Sequence, residues 1–351
     1  MSTALDPVVA SAAVVAAYQR YLRSLITPRD TRLAIALHSA VTSAIGTGVT
    51  KGPLLEATPP YASGATLQKL VAEGVLHPDV SSLNATIPFD RPLYLHQETA
   101  VRKATAGRNL VVATGTGSGK TESFLLPILD ALLTERAAGT LEPGVRALLL
   151  YPMNALANDQ MKRLRALLDG LPEITFGRYT GDTRSSIRDA AAVFEHQNPG
   201  EPRLKNELLS REAMRAQPPH LLLTNYAMLE YLLLRPLDMD LFEGVHSGHW
   251  RFIVVDEAHV YDGARGAELA MLLRRLRDRV SGTAALQCLA TSATVGSDHA
   301  AVVRFASALF DAPFEFDATD FGRQDVVTAT RLSAPDGVGW GHYLPQSTAG
   351  Y

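Results

Sequence analysis

Residues 109–121 read Asn109-Leu110-Val111-Val112-Ala113-Thr114-Gly115-Thr116-Gly117-Ser118-Gly119-Lys120-Thr121. A short apolar run of β type enters a glycine-rich turn, and the helical stretch Glu122–Leu133 leaves it. This is the layout of a phosphate-binding loop. Glycines let consecutive backbone N–H groups converge on phosphate oxygens, and the following helix adds the partial positive charge of its N-terminus. Lys120 can reach outer phosphates, and the Thr121 hydroxyl can ligand Mg2+. The strict pattern opens on a glycine; Thr114 stands in that place here.

Well downstream of Lys120 comes Phe252-Ile253-Val254-Val255-Asp256-Glu257-Ala258-His259. Four apolar residues ending in two carboxylates read as a buried parallel strand whose C-terminal edge faces a ligand. Asp256 is placed to hold Mg2+ through water, which suits a hard ion that keeps its hydration. Glu257 can orient an attacking water, since phosphoryl transfer needs positioning and charge neutralisation more than covalent help. Taken alone, such a stretch is also what a strand before an acidic helix cap looks like; the upstream loop favours the chemical reading.

A third signal, Ala290-Thr291-Ser292-Ala293-Thr294, follows the apolar run Ala285–Leu289. With these three pieces in this order, the chain resembles superfamily 2 helicases of the DEAD/DEAH kind. Further pieces fill the gaps: Tyr94-Leu95-His96-Gln97, upstream of Lys120 at the offset where that superfamily carries a glutamine; Tyr151–Ala157; Tyr179-Thr180-Gly181-Asp182; and Leu223–Leu229. The resemblance covers residues 93–310. It departs from the commoner Pro-Thr-Arg-Ala-Leu at Met153 and Asn154, which puts one strand contact in doubt. The wording of Lys51–Glu56 and of Asp256–Glu268 is closest to very large bacterial helicases of DNA repair and anti-phage defence.

The resemblance implies an α/β fold, a RecA-like parallel sheet flanked by helices, and ATP with Mg2+ as cofactors. It implies that Gln97 reads adenine and that Thr116, Gly117, Ser118 and Gly119 wrap the phosphates. Lys120 would neutralise them, and Thr121 with Asp256 would hold the metal. Glu257 would position water. His259 with Ser292, Ala293 and Thr294 would couple the nucleotide to a nucleic-acid groove, where Asn154, Thr180, Gly181, Thr224 and Asn225 face a strand backbone, DNA rather than RNA. For Tyr94, a core role and an adenine-stacking role both stand.

The bulk numbers fit a soluble α/β chain: 351 residues, 46% hydrophobic, 20% charged, net charge −3. The charge balance does not advertise nucleic acid, but backbone amides and a local patch suffice to grip phosphates. The lone Cys288, in an apolar run, reads as a buried structural thiol in a reducing compartment. Val8–Ala17 is apolar but short, and Asp6 rather than Lys or Arg precedes it, against a signal peptide or a membrane span. A cytoplasmic protein without membrane contact is expected.

Three regions are expected: a mostly helical N-terminal extension over 1–90, the ATP-binding domain over 91–312, and a Pro- and Gly-rich linker over 313–351. Strands are expected at 109–113, 146–151, 174–179, 220–224, 252–256 and 286–290. They alternate with helices expected at 96–105, 120–134, 154–168, 227–234, 264–280 and 299–309. Between them, residues 184–219 form an insertion with helical pieces around 188–194 and 205–216. Superfamily 2 motors close ATP between two lobes, the second supplying an arginine finger. The stretch from Thr294 to Tyr351 is too short for another lobe. The expectation is therefore half a motor, from a fragment or split subunit, weakly active alone. The competing reading is a nucleotide-dependent binding module with negligible turnover.

Overall fold

The computed structural model describes residues 6–42, 59–83, 86–115, 117–280, 286–293 and 298–332. Lys51–Glu56, Thr116, Thr294 and residues 333–351 of the expected linker lie outside the described residues. The chain divides into two compact units, Met1–Pro59 and Pro60–Tyr351. The first carries α1 (Pro7–Leu25) and α2 (Thr31–Thr42). Asp6 caps α1 by accepting from Val8 N, and Asp30 caps α2 through Arg32 N and Leu33 N. Gln19 Nε2 donates to the Val41 carbonyl at 3.1 Å and ties the two helices.

The second unit opens with β1 (Ser63–Thr66), α3 (Leu67–Ala72) and β2 (Pro92–Tyr94), β1 and β2 pairing antiparallel. There follow α4 (Leu95–Thr105), β3 (Leu110–Ala113), α5 (Lys120–Ala137), β4 (Ala147–Tyr151), α6 (Asn154–Leu168), β5 (Phe176–Arg178) and α7 (Ile187–Gln197). Next come β6 (Glu207–Leu208), α8 (Arg211–Ala216), β7 (Leu221–Asn225), α9 (Tyr226–Leu234), β8 (Phe252–Val255), α10 (Gly263–Val280), β9 (Gln287–Ser292), α11 (His299–Phe310) and β10 (Val326–Thr328). The eight-stranded sheet runs β10-β3-β9-β8-β4-β7-β5-β6, every pair parallel.

Alternation along each strand sorts the core onto the two faces of the sheet. Leu110, Val112, Leu149, Leu223 and Val254 pack under α4, α5 and α6. Val111, Leu148, Leu150, Leu222, Ile253 and Val255 pack under α9, α10 and α11. Cys288 lies in the second layer, and burial pushes its thiol up to about 12. No helix among the described residues is long and apolar enough to cross a membrane.

Three expectations change. Residues 60–90 do not belong with the N-terminal helices. Leu67, Leu70, Val80 and Leu83 are buried in the same core layer as α4 and α5, because the segment has too little apolar surface for a core of its own. The stretch after 312 is not all linker. Asp325 accepts from Arg108 Nε and Nη2 at 2.9 and 2.8 Å, and β10 then pairs with β3, Val326 opposite Val111. Within 205–216 only α8 is helical. Asn206 Nδ2 donates to the carbonyls of Leu168, Leu171 and Ile174, and Arg165 grips Glu207 in a bidentate pair at 2.7 and 2.8 Å. Those bonds hold the chain extended at the sheet edge.

Candidate nucleotide site and strand groove

The sheet brings the three decisive stretches to one edge. β3 and β8 both flank β9, with Ala113 opposite Ser292 and Val255 opposite Ala290. The loop after β3, the carboxylates after β8 and the end of β9 therefore share the C-terminal edge, where parallel α/β sheets bind ligands.

The loop is held by its own side chains and by α4. Thr114 Oγ1 and Ser118 Oγ share a hydrogen bond at 2.5 Å, both buried. Thr114 thus fills the place of the missing glycine with a structural bond. Gly119 sits at φ +71°, and a Cβ there would collide with Gln97 Nε2. From α4, Gln97 Nε2 donates to the Gly119 carbonyl and His96 Nε2 to the Ser118 carbonyl, each at 2.9 Å. Tyr94 N–H donates to Gln97 Oε1 at 2.8 Å. Both ends of the Gln97 amide are therefore engaged, with one N–H and one lone pair left over. Burial holds the His96 imidazole below its usual range. Tyr94 stacks on His96, ring centroids 5.6 Å apart, and Tyr61 packs against both at 5.2 and 5.3 Å.

Lys120, the first residue of α5, is 9% exposed and donates to Glu257 Oε1 at 3.0 Å. The other Glu257 oxygen, Oε2, is buried without a hydrogen-bond partner. Glu257 itself sits at φ +51°, a left-handed conformation that costs a side-chain residue about 1–2 kcal/mol. One hydroxyl supports that backbone: Thr291 Oγ1 accepts from Glu257 N–H at 3.0 Å and donates to Asp256 Oδ1. Burial pushes the Asp256 carboxyl above its ordinary range, with the nearby Glu257 adding to the shift; the Thr291 bond and Lys120 oppose it. Thr291 was not singled out from sequence beyond its place in a motif. Its signal was a hydroxyl at an inward position of an otherwise apolar strand, next to a two-carboxylate strand end.

His259 closes the group. Ala293 N–H lies 3.3 Å from its Nδ1. Ser292 Oγ lies 3.4 Å and Glu257 Oε2 3.3 Å from the same nitrogen. The Thr121 hydroxyl accepts from Gln160 Nε2 at 3.4 Å. The arrangement offers a loop with open backbone, one lysine, two carboxylates and a hydroxyl: a donor set for phosphates and for a hard cation.

The expected strand-facing residues divide. Asn225 Nδ2 donates to Asn154 Oδ1 at 2.7 Å, and Asn154 Nδ2 to Asp182 Oδ2 at 3.2 Å, a linked row along the edge next to an exposed Gly181. Thr180 and Thr224 do not join it. Both are fully buried, Thr224 Oγ1 donating to the Tyr179 carbonyl at 2.6 Å. Their positions, just beyond β5 and within β7, turn the side chains into the protein. A cavity of about 460 Å³ beside Asn154 and Asn225 is lined by Tyr226, Tyr261, Arg265 and Glu268. The Tyr261 hydroxyl is buried without a partner, and burial, with Asp256 nearby, holds it up to about 12.

A family model for DEAD/DEAH box helicases matches residues 94–302. The chain belongs to the DEAD/DEAH box helicase family. Among curated relatives, it is 34% identical to Druantia protein DruE of Escherichia coli, over 71% of this chain and 18% of DruE. It is 31% identical to the uncharacterized ATP-dependent helicase YprA of Bacillus subtilis, over 53% of this chain and 20% of YprA. The chain thus spans about a fifth of the length of these relatives. Among solved structures, DUF1998 helicase MrfA bound to DNA superposes with a TM-score of 0.53 at 23% identity, over 78% of this chain and 29% of that one. The DEAD-box helicase Mss116 bound to single-stranded RNA superposes at 0.52 and 19%, over 71% of this chain and 44% of that one. At these identities the superpositions speak for the fold, a RecA-like helicase sheet.

Proposed function

We propose that this helicase-family chain is the ATP-binding lobe of a nucleic-acid-dependent ATPase that couples hydrolysis to translocation along, or unwinding of, DNA. One observation carries the reading. Lys120 and Glu257, far apart in sequence, meet at 3.0 Å, and Glu257 keeps a buried acceptor oxygen that receives no hydrogen bond, 3.3 Å from His259 Nδ1. A lysine at a glycine-rich loop beside a carboxylate with spare acceptor capacity is the minimum for holding phosphates and orienting water.

The residues present fit ATP and Mg2+. The backbone of Gly117, Ser118 and Gly119 would cradle phosphates, joined by Lys120; Thr116 has the same proposed role. Thr121 and Asp256 supply the hydroxyl and carboxylate oxygens that suit Mg2+. ATP, when bound, supplies the γ-phosphoryl group, and Mg2+ neutralises charge upon it. Glu257 Oε2 then accepts a hydrogen bond from the attacking water, and Lys120 leaves its carboxylate partner for phosphate oxygen. Gln97, already bonded to the loop, has a donor and an acceptor left for an adenine edge. His259, bonded to Ala293, links this site to the end of β9, with Ser292 and Thr294 proposed to share that coupling. Asn154, Gly181 and Asn225 would contact the strand. A second RecA-like lobe, which the greater length of the relatives can accommodate, would complete the ATP site.

Calorimetry with Mg·ATP tests the reading. The chain should bind, and Lys120→Ala should not. Equal affinity in both proteins would refute it. Phosphate release by the chain alone should be slow and little stimulated by single strands, and should rise when a second-lobe polypeptide is added. Turnover of roughly 1 per second by the chain alone, an ordinary enzyme rate, would remove the second lobe from the proposal.

A further inference from the structure

Outside the nucleotide site, a polar cavity of about 520 Å³ lies between α6, β5 and the insertion. Asn158, Lys162 and Arg165 line it from one stripe of α6, and Ala190, Val193 and Phe194 line it from α7. Spacing of three and four residues puts each set on a single helix face. The wall from α7 is apolar except for Gln197 at its end, and the wall from α6 is mixed, its cations Lys162 and Arg165 standing beside Asp159. Its size is that of pockets for small organic ligands.

The charges in it are unevenly paired. Arg165 is neutralised by its bidentate contact with Glu207. Lys162, Arg178 and Arg184 also line the cavity, and none of them has a carboxylate within ion-pair distance among the described residues. Arg178 is half-buried, and the one hydrogen bond of its guanidinium among the described residues goes to the neutral Asn158 amide oxygen. Burial lowers its guanidinium from the usual range, with Asp182 the largest opposing influence. Three carboxylates also line the cavity: Glu207, paired with Arg165, Asp182, bonded to Asn154, and Asp159. A guanidinium with most of its five donors unused and partly removed from water favours an anionic oxygen acceptor. Asp182 belongs both to this cavity and to the Asn154–Asn225 row, so cavity and row are continuous.

We infer that this cavity takes one nucleotide unit of a bound single strand, its phosphodiester on Arg178, Lys162 and Arg184 and its base against the α7 wall at Val193. The inference rests on the nucleic-acid reading above and adds a specific site to it: the insertion forms one wall of a strand pocket.

The test is the salt dependence of binding. The dissociation constant of the full chain for a labelled dT 12-mer is measured across a salt series, for wild type, Arg178→Ala, Lys162→Ala and the double variant. Each lost phosphate contact should flatten the slope of log affinity against log salt by about 0.7 for a single strand. The double variant should therefore lose about 1.4, while Arg304→Ala, an exposed position on α11, leaves the slope unchanged. Lys162 is solvent-exposed, so its alanine variant reports even where Arg178→Ala fails to fold. An unchanged slope in Lys162→Ala and in the folded double variant, with wild type still binding strand, overturns the pocket and leaves the nucleic-acid reading standing. A wild type that binds no 12-mer overturns both. Competition with thymidine monophosphate separates the sources: displacement of the 12-mer only at far higher concentration supports a strand site. Binding of the monophosphate, lost in Lys162→Ala, without 12-mer binding would make it a site for free nucleotide and overturn the inference.

Discussion

Thr291→Val tests how the acidic strand end is built. Thr291 is fully buried, and valine replaces it with nearly the same shape. Two bonds are lost together: the donation to the Asp256 carboxylate and the acceptor for Glu257 N–H. A hydrogen bond to a charged group contributes about 1.5–3 kcal/mol, and a stranded buried N–H costs about 1–3 kcal/mol. Valine needs no hydroxyl partner, which offsets part of this, so a loss of about 3 kcal/mol is expected. For a chain of this size that lowers the melting temperature by roughly 4–5 °C. Thr291→Ser keeps the hydroxyl and sheds one methyl, about 1 kcal/mol. Melting without nucleotide gives the first comparison, and calorimetric titration with Mg·ATP the second. Valine should weaken Mg·ATP binding more than serine does, because Asp256 loses its fixed orientation and Glu257 its backbone support. If valine and serine variants melt within about 1 °C of each other and bind equally, Thr291 merely fills space and the reasoning fails.

Gly119→Ala forces a Cβ onto a left-handed residue and into Gln97 Nε2; about 1–2 kcal/mol of strain should weaken Mg·ATP binding by roughly tenfold, read by calorimetry. Asp256→Asn should raise the melting temperature at pH 7 while abolishing ATP turnover. The folded pKa of Asp256 lies above 3.8, so ionisation destabilises the fold as pH rises through the window between the two values. The gap between variant and wild type should therefore close as the pH falls to the unfolded carboxylate range. His220 behaves in the opposite sense. It is buried, with its pKa lowered from 6.5 to about 4, accepting from Thr175 N–H at Nδ1 and facing the Glu142 carbonyl through Nε2. Its contribution is intact above pH 6.5 and lost as the pH falls toward about 4, by up to roughly 3 kcal/mol. Melting curves of His220→Gln across that range should be flatter than wild type, and equal slopes would refute the assignment.

The sequence by itself determined the family and most of the main sheet's element order. Strands such as Leu110–Ala113 and Phe252–Val255 are apolar runs closed by residues with strong local meaning, glycines in one and carboxylates in the other. Local periodicity and motif chemistry are properties of neighbours in sequence, so they are legible there. The helices between them also came close to their observed ends; α6 begins and ends where its pattern predicts. What depended on distant partners was not legible. The short strand β10 exists because Asp325 meets Arg108 and Val326 meets Val111, partners from the opposite end of the unit's sequence. The still shorter β6 is held by Arg165 and Asn206. At the site, the same division holds. Lys120, Asp256 and Glu257 announce themselves by type and spacing, but Thr291 as the hydrogen-bond partner shared by the two acidic residues, and the inward turn of Thr180 and Thr224, follow from strand pairing and side-chain direction. A period of two fixes which residues share a face; only the packed sheet decides which face is the core and which strand lies beside which.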